Sequence, residues 1–288
     1  MARPAKLASV TSGELAGARP RSGAARRPFW RARSVQVNAA RIVVGAAILL
    51  AWEFAVEGQN EVFFSKPTLV AQKLAELFAQ GKIWQHIQIT VTEIVVGYAI
   101  GAAIGLVVGA LLGRSKALSD IFQPYILMFY SIPKIALAPL FIIWLGLGIN
   151  SKIAVVVLSA FFLVFVNTYS GMLSINEELV NLARIMGASR WQVTRRVIAP
   201  AASPYIMLGL KTAVPYAVIG AILGEFIGSN KGLGYFILYA GQTFDSASLF
   251  AGIIILVSIV FIANQLLTRL EGRVLRWQPS SQAVHVEV

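Results

Sequence analysis

Six apolar stretches of about twenty residues or more recur along the chain, and they limit its fold more than any other feature. They cover roughly residues 39–57, 87–113, 121–146, 151–174, 201–224 and 248–268. An α-helix rises about 1.5 Å per residue, so about 20 residues cross a hydrocarbon core about 30 Å thick. The first stretch is marginal by this measure and the third over-long. A water-soluble domain carries roughly 25% charged residues. Here the figure is 13%, against 57% hydrophobic, and only lipid can cover so much apolar surface. The expected fold class is an all-α integral membrane protein with about six transmembrane helices.

Lys and Arg placement orients the spans, because short inner loops carry the excess of both. With the N-terminus inside, the inner segments 1–38, 114–120, 175–200 and 269–288 hold 8, 2, 4 and 3 basic residues. The outer segments hold Lys66, Lys73, Lys82 and Lys231. Both ends are therefore expected to be cytoplasmic (N-in/C-in), and the net charge of +12 is mainly a topology signal, not a nucleic-acid footprint. Residues 1–38 are rich in Ala, Arg, Ser and Pro without an apolar run, which predicts a disordered basic tail. An organelle transit peptide has a similar composition and ranks below the tail. The membrane domain is expected over 39–272, with a cytoplasmic connecting loop at 175–200 and a C-terminal tail at 273–288.

Several chemistries are excluded. With no cysteine there is no disulfide or thiolate site, and the two histidines, His86 and His285, lie too far apart in sequence to suggest a metal centre. No Ser, His and carboxylate group converges on a catalytic pattern. Gly113-Arg114-Ser115-Lys116 is too short and wrongly ordered for a phosphate loop. The expected catalytic, metal and cofactor complement of this chain is none.

Two features inside the spans bear on mechanism. Gly97, Gly101, Gly105, Gly109 and Gly113 repeat at intervals of four, which on a helix makes a ridge without side chains where another backbone can approach. Lys134 lies among Pro124, Pro133 and Pro139 in the third stretch, and Lys211 lies in the fifth. A lysine at the bilayer centre is costly and usually faces a bundle interior or wet cavity. Lys134 and Lys211 are thus candidates for a translocation path; for Lys134 the alternative is a break with a snorkelling side chain, and for Lys211 structural pairing ranks first. Glu93 is a candidate partner. No acid obvious in the sequence balances both lysines.

The segment 175–200 is the most informative. Glu177 and Glu178 suit a first helical turn, Gly187 a helix end and Ser189 the cap of a second helix. Pro200 opens the fifth span. Ala183 and Gly187, four apart, are small and suited to close docking on one face. A DNA-binding helix-turn-helix has similar spacing. Some 25 residues between two spans leave no room for its supporting helix, so no nucleic-acid partner is expected.

Asn181-Leu182-Ala183, three residues, Gly187, nine residues, then Val197-Ile198-Ala199-Pro200 resembles the EAA loop of binding-protein-dependent ABC importer permeases. That pattern reads Glu-Ala-Ala, three residues, Gly, nine residues, Ile-x-Leu-Pro. Asn181, Leu182, Val197 and Ala199 depart from it at matching spacing. Ala183-Arg184 with Gly187 to Trp191 resembles the sulfonate, taurine, nitrate and bicarbonate branch. So do Ile132 to Gly146, Gly209 to Lys211, Ile219 to Glu225 and Gly232 to Gly234.

The resemblance implies a type I importer permease in a bacterial inner (plasma) membrane, dimerised around a path and most simply a homodimer. It implies two ATP-binding cassette subunits that carry ATP and magnesium, docked on Glu178, Asn181, Ala183, Arg184, Gly187, Ala188, Ser189 and Arg190. An extracytoplasmic binding protein would deliver the solute, which the branch and the two lysines suggest is anionic. A secondary transporter without an ATPase is the alternative; it would be expected to show half-to-half repeats and buried acids.

Overall fold

A computed structural model describes residues 29–58 and 64–277, all helical or connecting, with no strand among them. Residues 1–51 and 52–288 form two compact units. α1, Phe29–Ala55, supplies the described part of the first unit, and its side chains Ile42, Val43, Val44, Ile48, Leu49 and Leu50 are exposed. The helix starts directly after Pro28, ten residues before the end of the expected tail. Residues 1–28 and 278–288 of the two tails lie outside the described residues.

In the second unit, α2 (Pro67–Gln80) begins with proline, whose fixed φ suits a first helical position, and stops at Gly81 in the left-handed region (φ 74°). α3 (Ile83–Gly113), α6 (Ile149–Leu173), α9 (Ala199–Gly228) and α11 (Ser246–Val274) are long and apolar enough to cross a membrane. Between α6 and α9 lie α7 (Glu177–Ile185), α8 (Arg190–Val193) and a π-helical turn, Thr194–Ile198, that runs unbroken into α9. α10 (Leu233–Gln242) is a short helix between α9 and α11.

The expected third span is divided. α4 (Lys116–Ser131) is followed by a 3-10 turn, Lys134–Leu137, and then α5 (Ala138–Leu145). The cause is local. Pro133 disfavours helical ψ at the residue before it, and Ile132 is extended (ψ 128°). Five helices in the described residues are individually long enough to span, and the sixth apolar stretch is this broken segment.

The core is α6 packed between α3 and α9. A Cβ added at Gly101 would come within 2.5 Å of the Val157 carbonyl oxygen, and at Gly105 or Gly109 within 2.8 Å of the Phe161 or Phe165 carbonyl. At Gly97 and Gly113 it would meet Val156 and Met172 side chains at 2.5 Å. The glycine ridge of α3 therefore rests on the α6 backbone. On the other side of α6, Gly209 and Gly220 approach Asn167 and Ser159. Val156, Ala160, Val164, Ala213, Ala217 and Ala221 fill the layers between, completely buried.

Candidate functional site

The 175–200 hairpin is built by local hydrogen bonds. Asn176 Oδ1 accepts from the Glu178 N–H at 2.7 Å, and Glu177 and Glu178 occupy the first turn, where they complement the helix dipole. α7 ends in a Schellman motif: the Ala188 N–H donates to the Ala183 carbonyl at 3.0 Å and the Gly187 N–H to Arg184 at 2.9 Å. Gly187 has φ 82°, the left-handed region that glycine alone enters without steric cost. A Cβ there would meet nothing within 4 Å, so its requirement is conformational. Gly187 stands beyond the helix end and does not share an α7 face with Ala183, which corrects the expectation of a paired small-residue docking face. Ser189 closes a capping box: its Oγ accepts from the Gln192 N–H at 3.3 Å while Gln192 Oε1 accepts from the Ser189 N–H at 2.8 Å.

α7 has two working faces. Glu177, Val180, Asn181 and Arg184 line a cavity of about 910 Å³, together with Arg114, Lys116, Ala188 and Arg190. Leu179, Leu182, Ile185 and Met186 point elsewhere and are 56%, 54%, 83% and 80% exposed, with Trp191 beyond the turn at 69%. Apolar side chains spaced three and four apart on a helix outside the lipid-crossing spans form a face that lacks a partner among the described residues. Glu178 and Ser189 are exposed and Ala188 is half-buried. Sequence reasoning centred on the small and charged positions and missed this apolar face; its three- and four-residue spacing was the available signal.

The path candidates fall in separate places. Lys134 opens the 3-10 turn at the break between α4 and α5, and its side chain lies outside the described residues. Lys211 Nζ donates to Glu271 Oε2 at 2.8 Å, each side chain 31% exposed. Glu271 belongs to the last turn of α11, so Lys211 stands level with the inner end of that helix. The structural pairing that ranked first for Lys211 is found, with Glu271 as the partner. Sixty residues separate the pair, and no sequence spacing announces it.

Glu93 does not pair with Lys211, one of the two lysines it was a candidate to partner. It is completely buried on α3, and Lys152 Nζ of α6 lies 3.5 Å away. Lys152 also donates to Ser229 Oγ at 2.7 Å. A second fully buried carboxylate, Glu225 of α9, accepts from Thr90 Oγ1 at 2.6 Å and from the Gly234 N–H. Sequence reasoning missed Lys152 and Thr90 as members of this group. Their positions near the outer ends of two helices gave only a weak hint that they meet.

Residues 101–276 match the family described as "Binding-protein-dependent transport system inner membrane component". The riboflavin transport system permease RibX of Chloroflexus aurantiacus is 36% identical, over 81% of this chain and 88% of that protein. The putative aliphatic sulfonates transport permease SsuC of Bacillus subtilis is 32% identical, over 74% and 78%. Among solved structures, the MetNI methionine ABC transporter in an inward-facing form superposes with a TM-score of 0.59. That match has 23% identity and covers 67% of this chain and 95% of the other.

Proposed function

The chain belongs to the binding-protein-dependent transport system inner membrane component family, and on that premise we propose how it takes its power and what it carries. It is a multi-pass inner-membrane permease subunit of an ABC importer, a transport component and not an enzyme. In the proposed arrangement, two chains enclose one path. ATP and magnesium reside on separate ATPase subunits. The apolar face of α7, with Arg184, Arg190 and Trp191 beside it, docks on them, and a binding protein delivers the solute from outside.

The observation that carries the coupling proposal is the exposed Leu179, Leu182, Ile185 and Met186 face on a helix outside the lipid-crossing spans. α8 continues through the π turn into α9, so a displacement of the docked hairpin passes directly to a span. Co-purification from solubilised membranes tests it. An ATPase chain is expected with the wild type and is expected to be lost with Leu182→Asp or Gly187→Glu, each at wild-type abundance. Recovery of the ATPase with both variants would overturn the docking site.

The proposed solute is a small anion of the sulfonate, nitrate or carboxylate kind. Lys134 at the helix break supports this, as does similarity to a permease named for aliphatic sulfonates. Lys211 no longer does, because Glu271 neutralises it. ATP-dependent uptake of a labelled alkanesulfonate is expected to fall in Lys134→Ala. Uptake of riboflavin with none of the sulfonate would replace the anion reading.

A further inference from the structure

The buried polar group at the outer ends of α3, α6 and α9 is not used by the coupling argument, and its contacts converge on the hairpin between α9 and α11. Thr90 Oγ1 accepts from the Leu233 N–H at 2.8 Å while donating to Glu225. His86 Nδ1 lies 2.9 Å from the Gly232 carbonyl oxygen and 3.1 Å from the Gly232 nitrogen, and its tautomer sets whether it donates to the first or accepts from the second. Gly232 has φ 111°, and a Cβ there would overlap the Glu225 carboxylate, so this turn admits only glycine. Leu233 is fully buried against Ile83 and Ile255. The first residues of the hairpin are thus gripped from three helices by side chains far apart in sequence.

The group holds one amine and two buried carboxyls, and neither oxygen of Glu93 accepts a hydrogen bond among the described residues. An apolar set of similar volume would pack without desolvating ions, so such a group is poor evidence of added stability. Its directional bonds do define one register for the hairpin, the best-attested use of buried ions.

We propose that Glu93, Lys152, Glu225 and Thr90 are positioning residues that latch the outer hairpin Ser229–Gln242 to α3 and α6, so that hairpin and core move as one body. Lys152 sustains the latch by its charge: it balances Glu93, which would otherwise stand uncompensated beside the bonds that hold the hairpin, and its bond to Ser229 is the lesser part. On the importer reading above, which this part rests on, opening of the path toward the binding protein then falls to the segment carrying α4 and α5.

The chain has no cysteine, so a single introduced thiol can report the latch in the full-length protein in membrane vesicles. Ala240→Cys on α10 replaces a residue 2% exposed, and its reaction with a membrane-impermeant maleimide is expected to be slow. Adding Lys152→Met or Thr90→Val is expected to speed labelling at least about tenfold, through local opening of the hairpin. The double change Glu93→Gln with Lys152→Met removes the pair together and is expected to return the rate to within about threefold of the parent. Ala160→Cys, in the core of α6, must stay unlabelled in every background, which separates local opening from unfolding. An unchanged rate in Lys152→Met would overturn the latch. A double variant as fast as the single would show that lysine packing acts, not its charge, and would also overturn the proposal. The assay needs no ATPase or solute, so loss of the latch leaves the coupling proposal to its own test.

Discussion

α3 and the α4–α5 segment are both apolar and similar in total length, yet one is a continuous helix locked to its neighbour and the other is in pieces. α3 places five glycines on the α6 backbone, and close backbone approach gives dispersion contact along its whole length. α4 exposes Ile121, Tyr125, Met128 and Phe129, and α5 exposes Ile143 and Trp144. The difference teaches that hydrophobicity places a segment in the membrane while small residues and prolines decide whether it stays fixed there. On the proposed function, a close-packed α3–α6–α9 body beside a broken and more exposed segment would divide the work of transport between them.

The strongest way to break this contrast is Gly105→Leu, whose side chain must displace the Phe161 carbonyl. It is expected to cost about 3 kcal/mol or more, whereas Met128→Ala on α4 costs less than about 0.5 kcal/mol. Size-exclusion profiles after graded heating in detergent would measure both. Next is Pro133→Ala, which removes the restriction on Ile132. It is expected to leave thermal stability within about 0.5 kcal/mol and to reduce ATP-dependent uptake roughly tenfold, because a healed helix loses its joint. Wild-type uptake would show that the break is dispensable.

Smaller still is Lys211→Met. The pair is one-third exposed on both sides, and screening limits its contribution to under about 1 kcal/mol. A small shift in melting temperature with unchanged alkanesulfonate uptake is expected; a tenfold uptake loss would return Lys211 to the path.

The smallest effect concerns Asp245, the cap of α11. Partial burial pushes its carboxyl up, but hydrogen bonds from Ser248 and the Lys73 ammonium outweigh this and hold it below the ordinary value. A depressed carboxylate stabilises the fold above the unfolded value of about 3.9 and loses that contribution as pH falls through its folded value. Asp245→Asn is therefore expected to flatten the acid limb of the melting profile below about pH 4 and to leave the neutral limb parallel.

What could be read from the sequence was what short-range chemistry controls. Asn176, Gly187 and Ser189 terminate and start helices through bonds to residues within five positions, so the hairpin was legible. The glycine ridge was legible because its period matches a helix, though nothing in it named α6 as the partner. The third span was over-long with three prolines, but where it would break depended on ψ at Ile132. The pairs Lys211–Glu271 and Lys152–Glu93 were not legible, since the bilayer hides which of several distant charges face each other once helices pack. The apolar face of α7 escaped notice because its leucines and Met186 look like ordinary core residues until the rest of the fold leaves them outside.

The capping box at Ser189 begins a helical stretch that does not end until Gly228, 39 residues later. At about 1.5 Å per residue it is a rod about 58 Å long, reaching from the hairpin to the turn that precedes Gly232. A tilt of about 5° at the lower end of such a rod carries its upper end sideways by about 5 Å, provided it does not flex. The wide turn at Thr194–Ile198 and the interior prolines Pro204 and Pro215 are the places where it could. The stiffness at those points therefore sets the gearing between an event in the cytoplasm and its displacement on the far side of the membrane.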